Sequence, residues 1–210
     1  MSRPGEAARA AALALVEAVL VRGEPLDEAI EKALRAGGRL ATLEARDRAF
    51  ARLLVTTVLR RLGQIDAALA ACLDRPLSGR ALRAREVLRL AAAQLLFLET
   101  PPHAAVDAAV RQAGRFPAYK GFVNAVLRRL AAEGKALIET QDAARLNCPG
   151  WLWQAWSEAY GEAAARAIVL QLLAEPPLDI QVKEAPEHWA ERLEAELLPT
   201  GTLRRAGGGH

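Results

Sequence analysis

The residues best suited to chemistry are two sets of polar side chains that recur at steps of four. One set is Arg48, Arg52 and Arg60, and the other is Lys120, Asn124 and Arg128. Residues four positions apart share one face of an α-helix. A guanidinium group can bridge phosphates and stack on unpaired bases, and a side-chain amide can read base edges. The two sets therefore predict contacts with RNA.

Each set also has an ordinary explanation. An arginine on an Ala-rich helix is usually part of a solvated face, and Asn124 could equally cap a helix or tie helices together. The distribution of charge favours binding, because residues 35–135 contain eighteen Lys/Arg and eight Asp/Glu, a net charge of +10, against +3 for the whole chain. A polyanion is the partner that suits such a concentration of positive charge.

Side chains that could catalyse a reaction or bind a metal are too scattered to form a site. The chain has three histidines, His103, His188 and His210. None stands near a Cys or Ser in a known arrangement, and no pair has ligand spacing, so we expect plain capping or surface roles. Cys148 has only Arg145 nearby to activate its thiol, and we expect it to be structural.

The composition indicates a helical protein without a membrane span. Hydrophobic residues make up 52% of the chain but aromatic residues only 5%, so Ala and Leu carry most of the apolar content. Even the apolar run Val87–Leu98 is broken by Arg89 and Gln94, and a membrane helix needs about 20 apolar residues. Two distant cysteines form no disulfide framework. We expect a cytoplasmic protein.

The elements that would position the two polar sets are helices. Apolar periodicity and Gly/Pro breaks predict seven of them: Glu6–Val21, Leu26–Ala36, Asp47–Gly63, Gln64–Leu73, Arg80–Leu98, His103–Gln112 and Tyr119–Ala132. In the third, Phe50, Leu54, Val58 and Leu62 form an apolar row opposite the arginines. The fifth is apolar nearly all round and should be central, with its arginine-bearing start in solvent.

After Gly134 the pattern of the sequence changes. Trp151, Trp153 and Trp156 lie on one predicted helix, and we favour a domain junction for them over stacking on single-stranded nucleic acid. The alternating stretch Leu178–Val182 predicts a strand, and a further helix is predicted at His188–Leu198. Because a strand needs partners, we interpret residues 136–210 as an incomplete, mostly helical α+β segment.

Several motifs together resemble a known family. The motifs are Asp47–Gly63, Leu88–Leu98, Pro102–Val106, Gly121–Arg129, Pro149–Leu152 and Pro176–Leu178. They resemble the N-terminal part of the ribosomal RNA small-subunit cytosine-5 methyltransferases of the RsmB (Sun/Fmu) type. That part is similar to the antitermination protein NusB, an all-helical RNA-binding fold. The resemblance covers nearly the whole chain.

The resemblance implies an all-α, NusB-like RNA-binding bundle of about seven helices in residues 1–135. Residues 136–210 would begin the methyltransferase module and stop before its domain for S-adenosylmethionine (AdoMet). AdoMet is thus expected for the full-length parent, and this chain alone is predicted to hold no cofactor and to be inactive. The expected partner is small-subunit rRNA. The alternative is an antitermination-type module that binds a ribosomal or transcription protein.

Overall fold

Seven helices build the first two thirds of the chain. The computed structural model describes residues 5–78, 84–115 and 117–205. The helices are α1 (Glu6–Leu20), α2 (Leu26–Leu34), α3 (Ala45–Arg60), α4 (Leu62–Ala71), α5 (Arg85–Leu96), α6 (Pro102–Gln112) and α7 (Lys120–Glu139). Two short 3-10 helices, Ala113–Arg115 and Pro117–Tyr119, connect α6 to α7. This part is an all-α bundle, as predicted.

Helix α5 lies at the centre of the bundle. It packs against α1, α3, α4, α6 and α7, and its side chains are buried on every side, including Leu88, Leu90 and Ala92. A helix that is apolar nearly all round has no face to give to water. The prediction that this helix is central is confirmed.

The arginine-bearing start of α5 does not simply reach solvent. Arg89 is only 8% exposed. Its guanidinium donates to Asp66 of α4, with Nη2 2.5 Å from Oδ2, and to Glu86 one turn earlier at 3.0 Å. Burial works against the charge, but the bonds to Asp66 and the charge of Glu86 raise the pKa of Arg89. The expectation of an exposed start is wrong for Arg89, while Arg80 and Arg83 lie outside the described residues.

The apolar row of α3 faces the core as predicted, but the break after this helix occurs earlier. Leu54 and Val58 are fully buried. The helix ends at Arg60, and Gly63 lies in the first turn of α4. A Cβ atom at Gly63 would overlap the carbonyl oxygen of Leu146. Gly63 therefore serves a close approach between backbones, and the prediction that it ends the helix is wrong.

The rest of the chain is more helical than strand-like. It contains α8 (Ala143–Asn147), α9 (Gly150–Tyr160), α10 (Glu162–Leu173) and α11 (Pro186–Leu193), with strands β1 (Leu178–Ile180), β2 (Glu196–Leu197) and β3 (Leu203–Arg205). Helix α7 runs on to Glu139, seven residues beyond its predicted end at Ala132. The predicted division at residue 135 therefore falls inside α7.

The predicted strand has partners within the chain. The sheet order is β1-β3-β2 with antiparallel pairing, and Leu178 lies opposite Arg205. The predicted helix at His188–Leu198 is too long, because Glu194 adopts a left-handed backbone with φ 50° and ends α11. Leu197 instead pairs with Leu203 across a turn closed by Gly201. Of the three described strands, the sequence pattern therefore predicts β1 and misses β2 and β3.

Polar contacts attach this second segment to the bundle. The backbone N–H of Gln64 donates to Oδ1 of Asn147 at 3.2 Å, and Nδ2 of Asn147 donates to Oε1 of Gln64 at 2.9 Å. Nη2 of Arg61 donates to the carbonyl of Leu173 at 3.3 Å. The start of α4 is thus tied to both α8 and the end of α10.

Two of the three tryptophans of α9, Trp153 and Trp156, belong to the interior of the second segment. Trp153 is buried with Cys148 and Val169. The guanidinium groups of Arg145 and Arg166 lie 4.3 and 5.6 Å from its ring centre. Trp151, by contrast, is 72% exposed. The cluster is a small core joining α8, α9 and α10.

An acid titration should detect one ion pair in this segment. Arg166 donates to both carboxylate oxygens of Asp142 at 2.8 Å, and the N–H of Arg145 donates to the same group. These bonds lower the pKa of Asp142 from 3.8 to about 2. Because the folded value is depressed, the stabilisation is complete above pH 3.8 and is lost as the pH falls through about 2.

We expect carboxyl-carbon NMR to give Asp142 a midpoint of about 2 in the intact chain. Arg166→Ala removes the strongest cause of the shift, so the midpoint should rise in that variant. Asp179, whose pKa is lowered by Arg204, is the internal control and should keep its midpoint in the variant. A midpoint for Asp142 that does not differ between the two proteins would contradict the assigned pair.

Candidate nucleic-acid interface

A groove between α6 and α7 contains one of the two predicted polar sets. It has a volume of about 460 Å³. Its lining residues are Pro102, His103, Val106, Asp107, Val110, Asn124, Arg128 and Ala131. The valines and Ala131 provide apolar surface, and polar groups from both helices border it. Such a surface can hold the face of an unpaired base while polar groups reach its edge.

Asn124 and Arg128 are available to a ligand in this groove. Asn124 is half-buried, and its side chain makes no hydrogen bond to another described residue, so an internal tie has no support. Arg128 is exposed and has no ion pair within the described part of the chain. Asp107 on the opposite wall already pairs with Arg111. Positive charge therefore dominates at the α7 wall.

Lys120 extends the same row toward the start of α7. It is exposed, and its Cε lies near Gly114 in the preceding 3-10 helix. Eight residues separate it from Arg128, which is about 12 Å along the helix axis. The predicted row Lys120, Asn124 and Arg128 is thus present on α7.

The α3 row lies in a different place. Arg48 and Arg52 line a separate groove of about 260 Å³ between α2 and α3. Nη1 of Arg48 donates to the carbonyl of Leu43 at 2.6 Å, whereas Arg52 is exposed. Arg60 lies at the far end of α3 and is half-buried. Helix α5 packs between α3 and α7, and the two grooves share no lining residue.

Other arginines of the basic region are engaged within the protein. Arg61 donates to Gln64 at 3.1 Å and lies 5.3 Å from the ring centre of Phe97. Burial, and less strongly the charge of Arg60, lower the pKa of Arg61. Arg129 pairs with Glu133 at 3.3 Å. The count of eighteen Lys/Arg in residues 35–135 therefore overstates the number of side chains that are free to bind an anion.

The sequence does not indicate the remaining groove residues as candidates. His103 is exposed, in agreement with the predicted surface role, and it also lines the α6/α7 groove. Val106 and Val110 provide apolar surface in the same groove. Their spacing of four from each other, with His103 three positions earlier, could have indicated one face of α6. This spacing could not indicate that the same face of α6 shares a groove with Asn124.

The cysteines are unsuited to nucleophilic chemistry. Cys72 and Cys148 are both buried. Burial raises the pKa of each thiol, and the opposing charge of Arg145 only partly offsets this at Cys148. Among the described residues, no group of His, Cys, Asp or Glu side chains could hold a metal. No helix in the described ranges has the length and apolarity that crossing a membrane requires.

Comparisons with known proteins agree with this architecture. The chain is 41% identical over 156 residues to ribosomal RNA small subunit methyltransferase B of Thermus thermophilus, which covers 72% of this chain and 36% of that protein. It is 34% identical over 211 residues to the protein of the same name in Xylella fastidiosa. This match covers 96% of this chain and 46% of that protein. The chain thus spans less than half the length of these curated relatives, and it matches their N-terminal part.

Two solved structures share the fold. NusB of T. maritima superposes with a TM-score of 0.54 at 29% identity, over 63% of this chain and 94% of that one. A chain from the crystal structure of a plectonemic RNA supercoil gives a TM-score of 0.56, over 67% of this chain and 100% of that one. Its 24% identity supports the fold alone. The NusB family profile matches residues 6–132, which include α1 to α6 and most of α7. With the helical bundle and this match together, the chain belongs to the NusB family.

Proposed function

We propose that this chain binds small-subunit ribosomal RNA and recruits it to the catalytic part of an rRNA methyltransferase. The relatives at 41% and 34% identity carry the name ribosomal RNA small subunit methyltransferase B and extend well beyond the matched region. In this proposal, methyl transfer and AdoMet binding belong to the unmatched part of such proteins. The role of the present chain is to hold the RNA.

The observation that carries the proposal is that Asn124 and Arg128, one turn apart on α7, both line the α6/α7 groove. The two side chains have no partner among the described residues and lie beside Val106 and Val110. A guanidinium can hold a phosphate in a two-pronged contact, and an amide can donate to and accept from a base edge. Neutral apolar walls suit the face of a splayed base. The groove therefore suits unpaired rather than duplex RNA.

The remaining predicted contacts have different places in this proposal. Lys120 continues the α7 row and would hold a second phosphate. Arg48 and Arg52 face another groove, and Arg60 lies at the end of α3, so they would touch RNA only if it extends beyond the α6/α7 groove. Phosphate contacts would provide most of the affinity, and the affinity should fall steeply with salt.

Replacing Arg128 with Glu tests the proposal directly. The probe is a labelled, single-stranded fragment of small-subunit rRNA, measured by fluorescence anisotropy at several salt concentrations. A hydrogen bond to a charged group contributes about 1.5–3 kcal/mol, so we expect affinity to fall about tenfold or more. The slope of log affinity against log salt should shrink by about 0.7 for each phosphate of a single strand that the variant no longer neutralises.

A matched control separates a specific contact from general charge. Lys135→Glu makes the same change of charge on an exposed position of α7 outside the groove, and we expect it to bind nearly as well as the parent. Asn124→Ala should alter the preference among RNA sequences while leaving the salt slope unchanged. Equal losses from Arg128→Glu and Lys135→Glu would overturn the assignment of the groove, and absence of binding at low salt would overturn RNA binding itself.

A further inference from the structure

The groove between α2 and α3 has a different chemical character from the proposed RNA site. Its lining residues are Ile30, Leu34, Leu40, Ala45, Arg48, Ala49 and Arg52. Five are aliphatic and two are arginines, and no acidic, amide, hydroxyl or aromatic side chain of the described residues lines it. Leu34 is 46% exposed, so its side chain is accessible to a partner. The groove combines accessible aliphatic surface with positive charge at one wall.

The described lining of this groove lacks the uncharged polar groups that read a base edge. Recognition of an unpaired base needs aromatic or guanidinium planes for stacking and polar groups at the base edge. The α6/α7 groove has Asn124 and His103 for such edge contacts, whereas the described lining of the α2/α3 groove has no amide or imidazole. Its volume of about 260 Å³ is also below the roughly 300–1,000 Å³ of sites that enclose a small ligand. An aliphatic side chain of a binding partner fits this groove better than a base does.

The two arginines are placed to hold carboxylates beside that anchor. They lie one turn apart on α3, about 5–6 Å between Cβ atoms. The bond from Arg48 to the Leu43 carbonyl fixes one guanidinium, and Arg52 has no partner among the described residues. A guanidinium fork matches a carboxylate in a two-pronged geometry.

Two acidic residues of α2 already have cationic partners of their own. Glu31 of α2 pairs with Arg35 at 3.0 Å, and Glu28 lies 3.9 Å from Lys32. Both pairs join residues of α2 or its C-cap, so these acids have their own cations. The charge of Arg52 is left for a ligand.

We propose that the α2/α3 groove docks an acidic segment of a partner protein, with an aliphatic side chain over Ile30 and Leu34 and carboxylates on Arg48 and Arg52. The partner is defined by this chemistry, a short peptide in which one or two aliphatic residues are flanked by Asp or Glu. The site is separate from the proposed RNA groove, so one chain can hold both ligands at once.

The test uses fluorescein-labelled octapeptides with two central leucines flanked by glutamates, measured by anisotropy against the intact chain. Their controls are a poly-glutamate octapeptide and a peptide with leucines flanked by lysines. We expect binding only by the acidic–aliphatic peptides, with NMR shifts confined to α2 and α3. Arg52→Glu should weaken this binding about fivefold, which corresponds to the upper end of the range for an exposed ion pair.

Two further variants make the result decisive. Arg46→Glu changes the same charge on an exposed position of α3 outside the groove and should leave binding unchanged, while Leu34→Ser should weaken it by removing the anchor contact. Binding that Arg52→Glu and Leu34→Ser leave intact would overturn the proposal, as would no binding above the poly-glutamate control. An octa-uridylate that binds here and is lost in Arg52→Glu would assign the groove to RNA instead. Arg128→Glu should not affect the peptide, so this proposal and the RNA proposal fail separately.

Discussion

Replacing Arg89 with Met is expected to lower the free energy of unfolding by about 3 kcal/mol. Removing one partner of a buried ion pair costs about 3–5 kcal/mol, because the other charge stays buried. The charge left behind is Glu86, whose side chain is 5% exposed. We expect the lower end of this range of free energies because Arg85 still contacts Glu86 at 3.0 Å. The other partner of Arg89, Asp66, is 42% exposed and can be solvated. Urea unfolding followed by circular dichroism measures the change.

Two controls identify the buried charge as the cause. The double variant Arg89→Met with Glu86→Leu removes both buried charges and should recover part of the loss, since an apolar pair of similar size is tolerated in such a site. Arg35→Met breaks an exposed pair with Glu31 and should change stability by no more than about 0.5 kcal/mol. A double variant less stable than the single one would contradict this account.

Replacing Gly63 with Ala is expected to lower stability by about 2 kcal/mol. Overpacking costs about 1–3 kcal/mol, and the high end applies because the added Cβ would meet the backbone of Leu146, which cannot rotate away. The better helix propensity of Ala returns about 1 kcal/mol. The strain should also weaken the contacts between Asn147 and Gln64, which hydrogen exchange at α8 would report.

Gly121 provides the matched control for this change. It lies in the first turn of α7, and a Cβ there would meet nothing within 4 Å. Gly121→Ala should therefore leave stability unchanged or raise it by up to about 1 kcal/mol. If the two substitutions have the same effect on the thermal midpoint, the close approach at Gly63 does not limit stability.

Much of the bundle could be predicted because its helices repeat apolar residues with clear breaks. The burial of Leu54 and Val58 and the central place of α5 both follow from periodicity. The same reasoning failed at Arg89, since its sequence neighbours do not reveal that Asp66, twenty-three residues earlier, supplies a partner. Pairing across helices depends on packing, which no local pattern records.

The sheet shows a second limit of local patterns. The five-residue alternation Leu178–Val182 predicts strand β1, but β2 has only two residues and the sequence of β3, Leu203–Arg205, does not alternate. Glu194 adopts a left-handed backbone conformation, which is uncommon for glutamate and could not be predicted from its residue type. Here tertiary pairing decides the conformation.

The candidate site could be predicted in part. Both polar sets are identifiable as helix faces, and Lys120, Asn124 and Arg128 do follow one another along α7. The sequence could not show that α5 separates the two sets, nor that they border grooves of unlike chemistry. That difference arises from which helix faces each row, α6 in one case and α2 in the other.

Helix α7 connects the bundle to the second segment through one continuous helix. Its twenty residues span about 30 Å, with Lys120, Asn124 and Arg128 in the first half and the connection to α8 after its end. Because Gln64 and Arg61 are also bonded to Asn147 of α8 and Leu173 of α10, more than one attachment joins the bundle to the second segment. A strand of RNA held at Arg128 would thus be presented at a set distance and angle, so that its delivery depends on geometry and not on a search by a flexible tether.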